Sequence, residues 1–379
     1  TSSAASDVYK RQLLWLVPGA LARLRPGEAD RSFLAAPASQ VLIAASGPLA
    51  CWMLAGLETP LFALLVFSAW SAALGARSLT TSTLSLLLVL TRPEGLALGT
   101  LFTAWAVLPG TGYFAAAGSA VRRWGAAALF VAGTAAFLAW RHHTYGYWLP
   151  NTYYAKTGDL AGQVRTGLPY ALDFLWRFGV PLVVVVIAAA VRDGAAALRS
   201  RPAILTGTLL VVWGGYTVAV GGDMLGMFRF YAPLLPIAWT FAVGMALGAG
   251  WLARPRPAIL LVLPLVAAQL FSSFQGRERR LVDLHMSEAN LGGWMLAGDA
   301  MTELLPPGTT IALGPAGYIP WRTGYRTLDI YGIVTPAFAH RETVFRHGYA
   351  GHEKTDGPWI VSRRPDYILI GNVDITDRP

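Results

Sequence analysis

The sequence predicts a polytopic α-helical membrane protein with a small C-terminal extracytoplasmic α/β domain. Three observations predict it. Hydrophobic residues make up 54% of 379 residues and charged residues only 13%, with a mean hydropathy of +0.46. That is about half the charge of a soluble domain, and water would not tolerate so much apolar surface. The charge is also split: residues 1–273 hold 19 Lys/Arg against 9 Asp/Glu, while residues 274–379 hold 11 against 12. Finally, the apolar runs lie before residue 274 and are separated by Arg clusters or Gly/Pro turns.

Taken in order, residues 1–12 (TSSAASDVYKRQ) resemble a translated adapter found at the ends of environmental sequence fragments, so they are set aside. The native N-terminus is then expected upstream, and Asp377-Arg378-Pro379 is a second expected cut. Residues 13–273 form the predicted transmembrane domain of about nine to ten spans. The helix segments are 13–22 (a partial span), 39–55, 60–76, 79–91, 95–109, 122–140, 179–191, 203–220, 229–250 and 257–273. A crossing needs about 17–25 apolar residues. Segments 79–91 and 95–109 fall short and also read as half-helices lining a cavity, where such backbone is tolerated.

Orientation follows from charge. With one crossing per segment, one set of loops holds eleven Arg (23, 25, 31, 77, 122, 123, 192, 199, 201, 254 and 256) against Glu28, Asp30 and Asp193. The other set holds Arg92, Arg141, Lys156, Arg165, Arg177 and Arg229 against Glu58, Glu94, Asp159, Asp173 and Asp223. The basic set is cytoplasmic by the positive-inside rule, and the balanced set is outside. Basic loops between spans, rather than a basic soluble face, also argue against nucleic-acid binding.

Residues 274–379 follow the last span on the outer side. Residues 288–305 read as an amphipathic helix ending at Pro306-Pro307-Gly308. Thr309–Leu313 and Tyr367–Ile370 read as buried strands.

Four polar clusters lie at predicted outer helix ends. In Gly56-Leu57-Glu58-Thr59-Pro60, Glu58 either caps the next helix or faces a ligand. In Thr91-Arg92-Pro93-Glu94-Gly95, two charges interrupt an apolar stretch, where charge is costly and a functional candidate. The Arg92 fork suits phosphate, and Glu94 would orient it or simply pin the helix break. The loop YGYWLPNTYYAK runs from Tyr145 to Lys156. Its aromatics serve sugar stacking or an interfacial belt, and the belt leaves Asn151 and Lys156 unexplained. In GGDMLGMFRFY, residues 221–231, glycines allow close backbone approach. Asp223 and Arg229 flank that loop, and a helix beginning near Phe228 would help bind an anion. Together, Arg92, Lys156 and Arg229 with Glu58, Glu94 and Asp223 are expected to form one pocket for an anionic head group carrying a polar moiety.

Other chemistries lack a signal. There is no P-loop pattern, no HExxH and no GxSxG elbow. Cys51 is the one cysteine and sits in an apolar run. Adjacent His142 and His143 do not share a helix face, so no metal site is assigned. The sequence requires no cofactor and leaves a divalent cation open.

The motifs GLETP, LTRPEG, YGYWLPNTYYAK, GGDMLGMFRF, LDIYGIV and GHEK, in this order, resemble the GT-C glycosyltransferases related to the terminal arabinofuranosyltransferase of actinobacterial cell walls. The resemblance spans most of residues 13–370. It implies an enzyme of the bacterial cytoplasmic (inner) membrane that transfers a sugar, a pentofuranose in the related family, from a polyprenyl-phosphate donor to an extracytoplasmic glycan or lipid acceptor. It also implies a catalytic Asp-containing loop upstream of residue 13. No position here matches that loop, so no catalytic residue is assigned, and these residues alone are expected not to transfer sugar. Glu58, Arg92, Glu94, Tyr145, Asn151, Lys156, Asp223 and Arg229 are the donor-binding candidates. Asp329 and His352-Glu353-Lys354 also match the family pattern and carry no assigned role. The competing readings are a transporter or flippase of a lipid-linked or polar solute, and a membrane-anchored cell-envelope assembly protein. A transporter would place polar groups at the bilayer midplane within an inverted repeat.

Overall fold

The computed structural model describes residues 2–108, 119–223, 225–274, 279–314, 316–342 and 354–369. The helices in chain order are α1 (Ser2–Leu24), α2 (Ala35–Ala44), α3 (Gly47–Leu54), α4 (Thr59–Leu74), α5 (Ser78–Thr91), α6 (Gly95–Val107), α7 (Ala120–Tyr145), α8 (Asn151–Lys156), α9 (Leu160–Phe174), α10 (Val180–Asp193), α11 (Arg201–Ala219), α12 (Leu235–Gly248), α13 (Pro255–Phe274), α14 (Arg279–Leu304), α15 (Tyr318–Thr323), α16 (Pro336–Ala339) and α17 (Gly357–Ser362). The strands are β1 (Thr310–Leu313), β2 (Arg326–Asp329) and β3 (Tyr367–Ile368). Two compact units result. One comprises residues 1–146, 170–217 and 227–275, the other 147–169, 218–226 and 276–379.

In the first unit, apolar spacing makes the helices and burial sorts them. Leu13, Val17, Ala20, Leu21 and Leu24 recur along one face of α1 and are buried. By contrast α4 and α12 are buried nearly all round, with Phe62, Phe67, Trp70 and Trp239 in the core. Four described helices or helix runs are long and apolar enough to cross a membrane: Ala120–Tyr145, Leu160–Asp193, Arg201–Ala219 and Pro255–Phe274. A fifth crossing results if α2 and α3, bent by 65°, count as one. The chain is compatible with a multi-pass membrane protein on this basis. α4, α5, α6 and the 232–248 segment are shorter apolar helices. At 1.5 Å per residue, sixteen-residue α4 reaches about 24 Å, less than the ~30 Å hydrocarbon core.

Three segments differ from the sequence expectation. The single run predicted at 39–55 is two helices, α2 and α3, meeting at a 65° bend. The run predicted at 179–191 is the end of a longer helical stretch, Leu160–Asp193, with a π turn at Leu175–Gly179. Asp173 and Arg177 interrupt the apolar pattern but pair one turn apart at 2.5 Å, so the helix continues through them. The segment predicted from residue 229 becomes helical only at Ala232–Leu234, a 3₁₀ turn leading into α12. Phe228 and Arg229 therefore lie in the preceding loop, and the helix start expected near Phe228 is displaced.

The break between α5 and α6 is written locally. Arg92 precedes Pro93, which disfavours helical backbone, and it is extended at φ −148°, ψ 146°. A Cβ on Gly95 would lie 2.1 Å from the Leu88 carbonyl oxygen, and one on Gly99 2.9 Å from that of Ser85. The two helices thus form a closely apposed antiparallel hairpin that glycine permits.

In the second unit the three strands form a parallel sheet of order β2-β1-β3. Central β1 is buried from Ile311 to Leu313, as a strand covered on both faces requires. Ile311 and Leu313 pack with Ala297, Ile319 and Tyr325, whereas Ala312 packs with Phe338 and Ile360. β1 and β3 form where strands were predicted, but β3 is not the buried strand expected: it pairs only with β1, and Tyr367 and Ile368 are exposed. β2 is an addition, because Arg-Thr-Leu-Asp has little apolar signal.

Candidate functional site

The first unit brings Glu58, Arg92 and Glu94 together. The α5–α6 break puts Arg92 and Glu94 two residues apart at a buried turn. Arg92 Nη2 lies 2.5 Å from Glu94 Oε1, and Nε lies 3.6 Å from Glu58 Oε1. The side chains of Arg92 and Glu94 are 9% and 6% exposed, that of Glu58 44%. Glu58 makes no side-chain capping bond to α4, so the capping alternative is not what the structure adopts. A buried charge survives only when paired and bonded. Glu94 is the close ionic partner, though its Oε1 accepts no hydrogen bond, and Glu58 is the looser one.

Aromatic rings complete the surroundings. The Arg92 guanidinium carbon lies 5.3 Å from the Phe62 ring centre and 5.9 Å from that of Phe230. Arg229 lies 5.6 Å from the same Phe230 ring and 5.7 Å from Trp52. Two guanidinium groups thus meet at one phenylalanine, each within cation–π range. A guanidinium over an aromatic face keeps its planar fork in a defined place.

The loop that carries Arg229 is unusual in backbone. Gly221 and Gly222 have φ of 88° and 74°, which glycine adopts freely. Met227 and Phe228 have φ of 55° and 48°, where a side chain costs about 1–2 kcal/mol per residue. Packing holds them there: Phe228 is buried against Tyr170, Phe174 and Phe178. Trp52 Nε1 donates to the Met227 carbonyl at 3.0 Å, and Trp213 Nε1 to the Phe230 carbonyl at 2.7 Å.

The remaining predicted residues divide between the two units. Tyr145 ends α7, 57% exposed, with Arg141 5.3 Å from its ring centre. Asn151, Lys156 and Asp223 belong to the second unit. Asn151 opens α8 and its Nδ2 donates to the carbonyls of Gly332 and Ile333 at 2.7 and 3.0 Å. Lys156 closes the same helix. His352 and Glu353 lie outside the described residues.

Within the second unit, Lys354 and His340 bind the aromatic loop to the C-terminal segment. Lys354 is buried and its Nζ donates to the carbonyls of Tyr154 and Ala339 at 2.7 and 2.8 Å. Burial lowers its pKa below the usual lysine value. The His340 ring centre lies 4.1 Å from that of Tyr147 and 4.2 Å from that of Tyr154. Desolvation, then the Lys354 charge, lowers its pKa. Asp329 is fully buried: Oδ1 accepts from the Tyr331 N–H at 2.8 Å and Oδ2 from the Val334 N–H at 2.7 Å. Its role is to shape the loop after β2.

Sequence reasoning did not single out Phe62, Trp52 or Trp213, and it held Phe230 only as part of the 221–231 motif, with no role. The usable signal was an indole N–H inside apolar segments, which needs an acceptor when buried. Among the described residues no three His, Cys, Asp or Glu side chains gather as a metal site. A cavity of about 210 Å³ lies between Leu24, Arg25, Glu28, Ser200, Phe241 and Met245, and none of the predicted site residues lines it. Arg25 there is held by Asp193 at 2.5 Å.

Residues 281–377 match the model of a family described as a domain of unknown function (DUF8728). No curated protein and no solved structure matches the chain.

Proposed function

We propose that this chain is a membrane glycosyltransferase that takes a sugar from a polyprenyl-phosphate donor and passes it to a glycan or lipid acceptor outside the bacterial cytoplasmic membrane. One observation carries the reading: buried Arg92 and half-buried Arg229 converge on the Phe230 ring inside an apolar helical unit. Charge in that setting is retained for a purpose, and two guanidinium forks suit a phosphate. The order of sequence motifs supplies the sugar-transfer part, including a pentofuranose as the sugar.

In the reaction, an acceptor hydroxyl would attack the anomeric carbon as its bond to the lipid phosphate breaks. The phosphate leaves with the bonding electrons, and the hydroxyl proton goes to a base that no residue here is assigned to supply. Arg92 and Arg229 would stabilise the charge growing on the departing phosphate. Glu94 keeps Arg92 oriented. Glu58, more distant and more exposed, is the carboxylate that an incoming phosphate displaces.

The test is binding by the full chain in lipid nanodiscs, comparing a polyprenyl monophosphate with the matching polyprenol. The phosphate is expected to bind more tightly. Arg92→Ala and Arg229→Ala are each expected to weaken phosphate binding by about tenfold or more, the scale of a lost charge-assisted hydrogen bond. Equal affinity for phosphate and alcohol, or two silent variants, would dismiss the anion site.

A further inference from the structure

We infer that Trp52 and Trp213 are positioning residues for Arg229, fixing the guanidinium before a ligand arrives. The inference rests on the anion-site reading above and adds residues to which that reading gives no part.

The backbone around Arg229 is not one the chain would choose alone. The two residues before it, Met227 and Phe228, both take left-handed φ without being glycine. A loop with that preference against it relaxes unless something outside holds it. The two indole N–H groups do so, because they grip the carbonyls on either side of Arg229: Met227 O at 3.0 Å and Phe230 O at 2.7 Å. Each indole has a single donor, and each bond satisfies it at a buried position. Trp52 acts twice. Its N–H holds the loop and its ring lies 5.7 Å from the Arg229 guanidinium carbon. Phe230, whose carbonyl Trp213 holds, presents the ring over which both Arg229 and Arg92 lie. The two bonds therefore fix the Arg229 fork and the ring it shares with Arg92. A fork fixed beforehand loses little freedom when an anion binds.

The substitution Trp52→Phe removes the donor and keeps an aromatic face, and Trp213→Phe does the same at the other carbonyl. Both are compared with the unmodified full chain in nanodiscs, using a polyprenyl monophosphate and the matching polyprenol as probes. Each variant is expected to weaken phosphate binding about three- to tenfold, the scale of one hydrogen bond, and to leave polyprenol binding unchanged. In an Arg229→Ala background, Trp52→Phe is expected to change phosphate binding less than twofold, because its effect passes through Arg229. A purely structural role would lower both affinities together, or add in full to Arg229→Ala; either result overturns the inference. So would unchanged phosphate binding in Trp52→Phe while Arg229→Ala still weakens it, which leaves the anion site standing. A silent Arg229→Ala overturns the anion site itself, and the positioning role falls with it. Should Trp213→Phe fail to fold, Trp52→Phe alone decides, since its ring remains in place.

Discussion

Asp329→Asn is the sharpest test of how the C-terminal segment is built. The substitution keeps shape and removes charge. In the structure both carboxylate oxygens are acceptors, Oδ1 for the Tyr331 N–H at 2.8 Å and Oδ2 for the Val334 N–H at 2.7 Å. Asparagine has one acceptor oxygen and one amide nitrogen, so one backbone N–H then faces a donor. The lost charge-assisted bond is worth about 1.5–3 kcal/mol, and leaving a buried N–H unsatisfied costs about 1–3 more. Relief from burying a charge offsets part of this. The net expectation is about 2–4 kcal/mol, confined to the loop after β2. Hydrogen exchange on the full chain reads it directly: the Tyr331 and Val334 amides should exchange about 30- to 1,000-fold faster. The helices of the first unit should be unaffected. Asp329→Ala, which removes both acceptors, should exceed it. Exchange at both amides within twofold of the parent would refute the assignment of Asp329 as the organiser of this loop.

Other consequences follow from the same kind of accounting. Lys354→Met should destabilise the second unit by about 2–4 kcal/mol, because two carbonyls lose charge-assisted donors; faster exchange around Tyr154 and Ala339 would register it. His340 has a folded pKa below its ordinary value near 6.5. The unfolded chain then binds the proton more readily, so the contribution is fully present above about pH 6.5 and is lost as pH falls through the folded value. Thermal melts between pH 8 and 5 should show this decline, and His340→Phe should reduce it; identical pH profiles would remove His340 from the account. Gly95→Ala drives a methyl group against the Leu88 carbonyl and should cost about 1–3 kcal/mol. A lower melting temperature of the detergent-solubilised chain would show it, and an unchanged one would mean the α5–α6 hairpin is looser than described.

The sequence by itself determined the apolar helices, the place of the break at Arg92-Pro93, and a C-terminal segment with strands at 310–313 and 367–368. These are local properties: hydrophobic spacing, the restriction before proline and the drop in hydropathy after residue 273. It also marked Arg92, Glu94 and Arg229, because charge stands out in an apolar background. It did not reveal β2, whose polar residues take strand form only by pairing with β1, nor the helix through Asp173 and Arg177, whose charges cancel across one turn. Only the tertiary structure decided which predicted site residues meet. Phe62, Arg92 and Phe230 come from three distant stretches of chain, and Asn151 and Lys354 spend their donors on backbone carbonyls rather than standing ready for a ligand. Residue type announces that a buried charge or donor must find a partner; packing alone selects the partner.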